Sequence, residues 1–502
     1  MNALSQLSEF GQSYWLDNLS REMIRSGELQ HRVEHEGLRG VTSNPAIFHK
    51  AISGGDAYDE EIASLVETGA TIPDIYERLV VSDISDACDV LRPVFDGTNG
   101  LDGYVSLEVS PRLIHDARRS IEEGRRLWDA VNRSNLMIKI PGTPAGIPAI
   151  EELLFEGINV NVTLLFDVAA YDEVARAYAR ALTRRLEAGR SPAVASVASF
   201  FLSRIDVLVD RLIGHRIDAD AAPAGPAALL GRAGIASAKL AYQSFRQHAS
   251  GPAWAELAAS GARVQRLLWA STSSKNPLYD PIRYVEPLIG RDTVNTMPET
   301  TIAAFSASGR AIPDAIEADV DIAEAVFEQL DSAGIDMAAV ASQLVDEGAD
   351  KFIAPFDALL AGLAAKRSAI AGDADQFLMS AAARAAMPAG LIAALDESRF
   401  TRRLFAADSS LWSQDSEVQS RIGARLGWLE APQRSLARLP EFESLATELA
   451  DEGIGHVVVL GMGGSGLGAA VVANTFEPVD SYPRLVVLDD IDPGIVRELE
   501  AT

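Results

Sequence analysis

Leu136-Met137-Ile138-Lys139-Ile140-Pro141-Gly142 is an apolar, partly β-branched run broken by one lysine and closed by a Pro-Gly turn signal. It reads as a buried strand. A lysine near the end of such a strand loses hydration, which disfavours its charged form and leaves its amine available as a nucleophile near neutral pH. Schiff-base chemistry needs that property. A lysine in this setting can equally snorkel, with its stem in the apolar layer and its ammonium in water or on a carboxylate. The rest of the chain decides between these two readings.

Working outward from that strand, short β-like runs alternate with longer amphipathic stretches, the pattern of parallel strands joined by helices. Eight strand candidates precede residue 300: 14–19, 40–44, 104–110, 136–140, 158–163, 193–201, 266–272 and 293–297. Eight such units predict a (β/α)8 TIM barrel, whose chemistry sits at the carboxyl ends of its strands. Polar residues gather at those ends. The first candidate ends near Asp17 and Asn18, the second in Thr42-Ser43-Asn44-Pro45, and the third carries Glu108. The fourth holds Lys139, the fifth ends in Asn161-Val162-Thr163, and the sixth leads through Ser199 to Arg204. The seventh runs into Ser271-Thr272-Ser273-Ser274-Lys275. Singly, each reads as a turn, cap or strand-edge residue. Together they form a convergent polar site.

The segments 169–187 and 316–330 read as outer amphipathic helices. Lys239, in a helical context, reads as structural. The barrel is expected to span residues 1–372, ending with a final helix.

Composition narrows the function. A chain of 502 residues implies two or three domains, and 48% hydrophobic residues support large cores. A net charge of -27 argues against nucleic acid and anionic membrane as partners. An anionic substrate must therefore be held by local cations, and only six of the 44 basic residues are lysines. Cys88 is the only cysteine, which leaves no internal disulfide or thiolate cluster. His31 and His35 have i,i+4 spacing but stand among charged residues, so no metal site is expected. The start lacks a signal-peptide pattern and no apolar run is long enough to span a bilayer, so a cytoplasmic enzyme is expected.

The texture changes near the end. Residues 456–460 form a clean apolar strand, followed by Gly461-Met462-Gly463-Gly464-Ser465-Gly466-Leu467-Gly468 and a helix-like 469–474; a second strand, 484–488, runs into Asp489. The glycine spacing fits a dinucleotide fingerprint, a weak signal on its own.

Taken in order, Trp15-Leu16-Asp17-Asn18-Leu19, Gly40-Val41-Thr42-Ser43-Asn44-Pro45, Ser106-Leu107-Glu108-Val109, Ile138-Lys139-Ile140-Pro141-Gly142-Thr143, 157–163 and Asn295-Thr296-Met297-Pro298 resemble transaldolase over roughly the first 370 residues. The resemblance implies a Schiff base between Lys139 and a ketose-phosphate donor such as sedoheptulose 7-phosphate or fructose 6-phosphate. A dihydroxyacetone unit then passes to an aldose phosphate, a step of the pentose phosphate pathway. It also implies that Asp17 is the general acid/base for the carbon–carbon bond and that Glu108 moves protons through a water near Thr163. Asn44 and Asn161 match amides that bind donor hydroxyls, Ser199 and Arg204 match phosphate-binding positions, and Thr42 and Ser271 join the substrate-binding set. A protonated imine is itself an electron sink, so no cofactor and no metal are implied.

One departure is that a second arginine, frequent in this family after the seventh strand, is replaced by Lys275, which brings the charge without the bidentate fork. The alternatives are an aldolase that cleaves without transfer, or a sugar-phosphate-binding or scaffolding protein without turnover.

The loop with Gly463, Gly464 and Ser465 looks like the sugar-phosphate-binding fold of glucose-6-phosphate isomerase, to which transaldolase can be fused. Residues 373–502 are then a helical lead-in and an incomplete α/β domain of that SIS-like type, expected to be inactive as an isomerase alone. The expected partners are phosphorylated sugars, and the expected state is a monomer or homodimer.

Overall fold

The computed structural model describes residues 3–53, 55–218, 226–371, 395, 398–461, 464–475 and 482–488. It divides into two units, Met1–Leu378 and Met379–Thr502.

In the first unit eight parallel strands close into a barrel in sequence order: β1 (Gln12–Leu16), β2 (Gly40–Thr42), β3 (Tyr104–Glu108), β4 (Leu136–Pro141), β5 (Val160–Leu165), β6 (Ser196–Phe201), β7 (Arg266–Ala270) and β8 (Thr293–Met297). Every residue of every strand is buried. This is the consequence of a parallel sheet covered outside by helices and filled inside by side chains. β8 closes the ring on β1 from Gln12↔Thr293 to Leu16↔Met297.

All eight expected strands exist; β8 has the expected bounds and the other seven have shifted ends. β1 stops at Leu16 because the chain turns toward the helix Arg21–Arg25, capped when Met23 N donates to Ser20 Oγ at 3.2 Å. β5 runs on to Leu165 through an irregularity between Val162 and Leu165, where Leu164 takes a left-handed φ of 62°. The turn after β4 locks onto it, Gly142 N donating to Thr163 O at 2.7 Å.

The stretches read as outer helices form Val168–Glu187 and Val320–Ser332. Lys239 has the structural role expected, donating to the carbonyls of Ala315 and Ala318. Opposite the strands' carboxyl ends, Arg266 fills the barrel bottom, bonding Asp102 at 2.9 Å and the Thr293 carbonyl at 2.7 Å. The last helix of the unit, Met337–Ala371, is pinned by Arg112–Asp357 and Lys366–Asp59, both 2.5 Å.

The second unit contains the helices Phe400–Phe405, Ser416–Gly423, Ala431–Ala437 and Leu439–Asp451, then β9 (His456–Leu460), the helix Gly464–Thr475 and β10 (Arg484–Leu488). β9 and β10 pair in parallel, a β-α-β arrangement. The helix begins at Gly464 rather than 469, so Gly464 and Ser465 lie in its first turn. Gly463 lies outside the described residues.

Candidate active site

β3, β4 and β5 carry Glu108, Lys139 and Asn161 in one register row, Glu108 beside Lys139 and Lys139 beside Asn161. Adjacent strands in register bring those side chains together inside the barrel, as the sequence spacing implied. The Lys139 residue is 5% exposed, and its Nζ donates to Glu108 Oε2 and to the Ser43 carbonyl, each at 3.3 Å. The snorkelling alternative is therefore only half met: the ammonium does find a carboxylate, but beneath the barrel mouth and away from bulk water.

Two hydrogen-bond chains flank this amine. On one side Thr42 Oγ1, the last residue of β2, donates to Asp17 Oδ1 at 2.8 Å and meets Thr296 Oγ1 of β8 at 2.7 Å. On the other, Ser199 Oγ donates to Asn161 Oδ1 at 2.7 Å, and Asn161 Nδ2 donates to Ser106 Oγ at 2.9 Å. The two hydroxyls hold the Asn161 amide in place between β3 and β6.

Electrostatics follow from this burial. The Asp17 carboxyl is pushed above the usual range by desolvation, against the pull of Lys139, the Thr42 hydroxyl, Lys275 and Arg204. Glu108 is raised by the same cause, against Lys139 and Arg204, with the Asp17 charge adding to the rise. A carboxyl whose pKa is raised is a stronger base when ionised and holds its proton more firmly when neutral, the property a proton-transfer group needs. Thr163 Oγ1 is buried with no hydrogen-bond partner among the described residues. A dry, unpaired hydroxyl is costly, which marks Thr163 as a place for a water or substrate hydroxyl.

The rim of the mouth is cationic. Arg204, in the helix Ser203–Asp218 that follows β6, has its Nη1 buried without a hydrogen-bond partner among the described residues. Its guanidinium carbon lies 5.3 Å from the Phe201 ring centre and 5.7 Å from that of Phe352. Lys275 is exposed after β7 and donates to Ser273 Oγ at 2.7 Å. Partial shielding and the Arg204 charge lower it, while Asp17 opposes them. Both cations are thus felt by Asp17. Ser271 has a φ of 55°, and its Oγ meets Ser203 Oγ at 2.8 Å, tying the β7 exit to the helix bearing Arg204. Asn44 Oδ1 accepts from Ile47 N at 3.1 Å and caps the helix Pro45–Ser53, leaving its amide protons for a ligand.

Sequence reading missed Ser106, Thr296 and Phe352 as site residues. Ser106 and Thr296 stood inside quoted strings and could have been found from the alternation of their strands. Phe352 is carried by the last helix, and nothing local in the sequence announces that this helix reaches the site.

Over the barrel unit the chain is similar to known proteins. The family model for transaldolase/fructose-6-phosphate aldolase matches residues 14–363. Transaldolase 2 of Nostoc punctiforme is 49% identical over 369 residues, 72% of this chain and 97% of that protein. The transaldolases of Trichodesmium erythraeum and Thiobacillus denitrificans are 46% and 47% identical, covering 73% and 72% of this chain and 97% and 99% of their own lengths.

Proposed function

The chain belongs to the transaldolase family and is a transaldolase of the pentose phosphate pathway; from that premise we propose how its own residues carry the transfer. Lys139 attacks the donor ketone, and Glu108, 3.3 Å away, shuttles protons through a water at Thr163 as the carbinolamine loses water. The resulting iminium draws electrons from the neighbouring carbon–carbon bond, and Asp17 takes the hydroxyl proton as that bond breaks. The aldose phosphate departs. The enamine left on Lys139 attacks the aldehyde of the acceptor, Asp17 returns the proton, and water releases the new ketose.

Asn44 and Asn161 bind donor hydroxyls, with Thr42 orienting Asp17; Ser199, which the resemblance matches to a phosphate position, instead donates to Asn161 and is proposed to orient it. Arg204 and Lys275 hold the phosphate, and Ser271 steadies the loop between them. The observation that carries this assignment is the buried Lys139–Glu108 contact at the carboxyl end of the barrel, within the field of Asp17. The substrates are phosphorylated sugars.

The test is acceptor dependence. With fructose 6-phosphate and erythrose 4-phosphate the protein is expected to form sedoheptulose 7-phosphate and glyceraldehyde 3-phosphate, with little turnover when the acceptor is left out. Equal turnover without acceptor would favour an aldolase that cleaves without transfer. Donor binding without any product would favour a binding or scaffolding protein.

For residues 373–502 we infer a partial SIS-like, glucose-6-phosphate isomerase-like domain, with Gly463, Gly464 and Ser465 as its sugar-phosphate loop. The support is a parallel β-α-β unit whose helix starts inside the glycine-rich stretch, at Gly464. It is proposed to lack isomerase turnover by itself, and the barrel is proposed to end near residue 372. No described helix is long and apolar enough to cross a membrane. A cytoplasmic monomer or homodimer completes the proposal.

A further inference from the structure

Arg204 is held in an unusual way for a cation at a site mouth. Its guanidinium makes no ion pair among the described residues, although Glu108, Glu347 and Asp17 all act on it. Glu347, on the last helix, is occupied: its carboxylate accepts from Gln343 at 2.8 Å and Lys351 at 2.9 Å, with Arg211 at 3.7 Å. What lies within reach of the guanidinium are two aromatic rings, Phe201 from β6 and Phe352 from the helix Met337–Ala371. Aromatic faces attract a cation without neutralising its hydrogen-bond donors.

Phe352 has a second neighbour. Lys139 Nζ lies 5.4 Å from the same ring centre. One buried side chain therefore stands over both the amine that would form the Schiff base and the cation that would hold the phosphate. The helix that carries it runs close to this wall. A Cβ added at Gly348 would lie 2.9 Å from Leu164 Cδ2 and 3.8 Å from Arg204 Nη1, so this helix passes close to the β5 irregularity and to Arg204.

We propose that Phe352 is a positioning residue: it keeps Arg204 extended and unpaired for a phosphate dianion and fixes the separation between that phosphate and Lys139. This rests on the transaldolase reading above. Its consequence is a specificity determinant supplied by the last helix of the barrel unit rather than by a strand end.

The test compares Phe352→Leu, which keeps apolar bulk without a ring, and Phe352→Tyr, which keeps the ring, in the full chain. Calorimetry gives the Kd of inorganic phosphate, and steady-state kinetics give KM and kcat for fructose 6-phosphate. Phe352→Leu is expected to weaken phosphate binding and raise KM by about tenfold, with kcat within about threefold and Phe352→Tyr close to the parent. An unchanged phosphate Kd in Phe352→Leu overturns the proposal, whether or not kcat and Tm fall, because a packing role alone would leave anion binding intact. A parent protein that binds phosphate but makes no transfer product would instead sink the functional reading, and the phosphate arm would still decide the part of Phe352.

Discussion

At the residue scale, Asp17 and Glu108 show what burial does to a carboxyl and what it costs. Each has a raised pKa with desolvation as the largest cause. A carboxyl whose pKa is higher folded than unfolded binds more protons in the folded state between those two values. Stability therefore falls as pH rises through that window and stays lower at neutral pH. Asp17→Asn removes the charge while leaving an oxygen to accept from Thr42. It is expected to lower kcat by about 10²- to 10⁴-fold and yet to raise Tm at pH 7. That gain should vanish once the pH is brought below the ordinary carboxylate range, where the parent is neutral in both states. A lower Tm at neutral pH would mean that attraction to Lys139 outweighs desolvation. Lys275→Ala tests the rim: KM for fructose 6-phosphate is expected to rise about fivefold with kcat nearly unchanged, the mark of lost uniform binding. Lys275→Arg should lower KM below the parent value by restoring the planar fork. Lys139, Asp17 and Glu108 were legible in the sequence because an ionisable group in an apolar strand is conspicuous. Ser106 and Thr296 are less conspicuous, since small hydroxyls in buried strands look like ordinary core unless strand alternation is followed from a charged neighbour, as from Glu108 back to Ser106.

At the scale of elements, the position of β4 rests on glycine. An added Cβ at Gly146, the residue before the helix Ile147–Glu156, would fall 1.9 Å from the Pro141 carbonyl oxygen, a backbone atom that cannot swing away. Gly146→Ala must therefore displace the end of the strand two residues beyond Lys139. It is expected to cost about 2 kcal/mol or more in urea denaturation and about 10²-fold in kcat, the usual scale for an ångström of misplacement. Full activity in that variant would show that the strand end can move without moving the amine. The strands themselves were readable because parallel buried strands are continuous apolar runs. Their ends were less so: the β5 irregularity depends on a left-handed leucine, and only glycine or asparagine there would have signalled it. The last helix was read as a helix, but its reach to Lys139 and Arg204 is a tertiary fact that no periodicity encodes.

At the scale of the whole molecule, every proposed residue of the transfer reaction lies in the unit Met1–Leu378, and relatives matched over 97–99% of their own lengths correspond to about 370 residues of this chain. A chain ending at residue 372 is therefore expected to keep the kcat/KM of the full protein within about twofold, because the matched relatives span nearly their whole lengths within about that many residues. A large loss would show that the second unit takes part in transfer. That unit exposes Trp428, Leu436, Leu460 and Leu467, and its described strands contain no buried residue; glucose 6-phosphate is expected to give no fructose 6-phosphate with the full chain. The central claim, that one lysine among six is the nucleophile, is tested most directly by borohydride reduction of the full chain in the presence of fructose 6-phosphate, followed by peptide mass mapping of all six. The account predicts a single dihydroxyacetone-sized adduct on Lys139 that Lys139→Ala abolishes. An unmodified Lys139 in folded, substrate-saturated protein, or an adduct on another lysine, would contradict it.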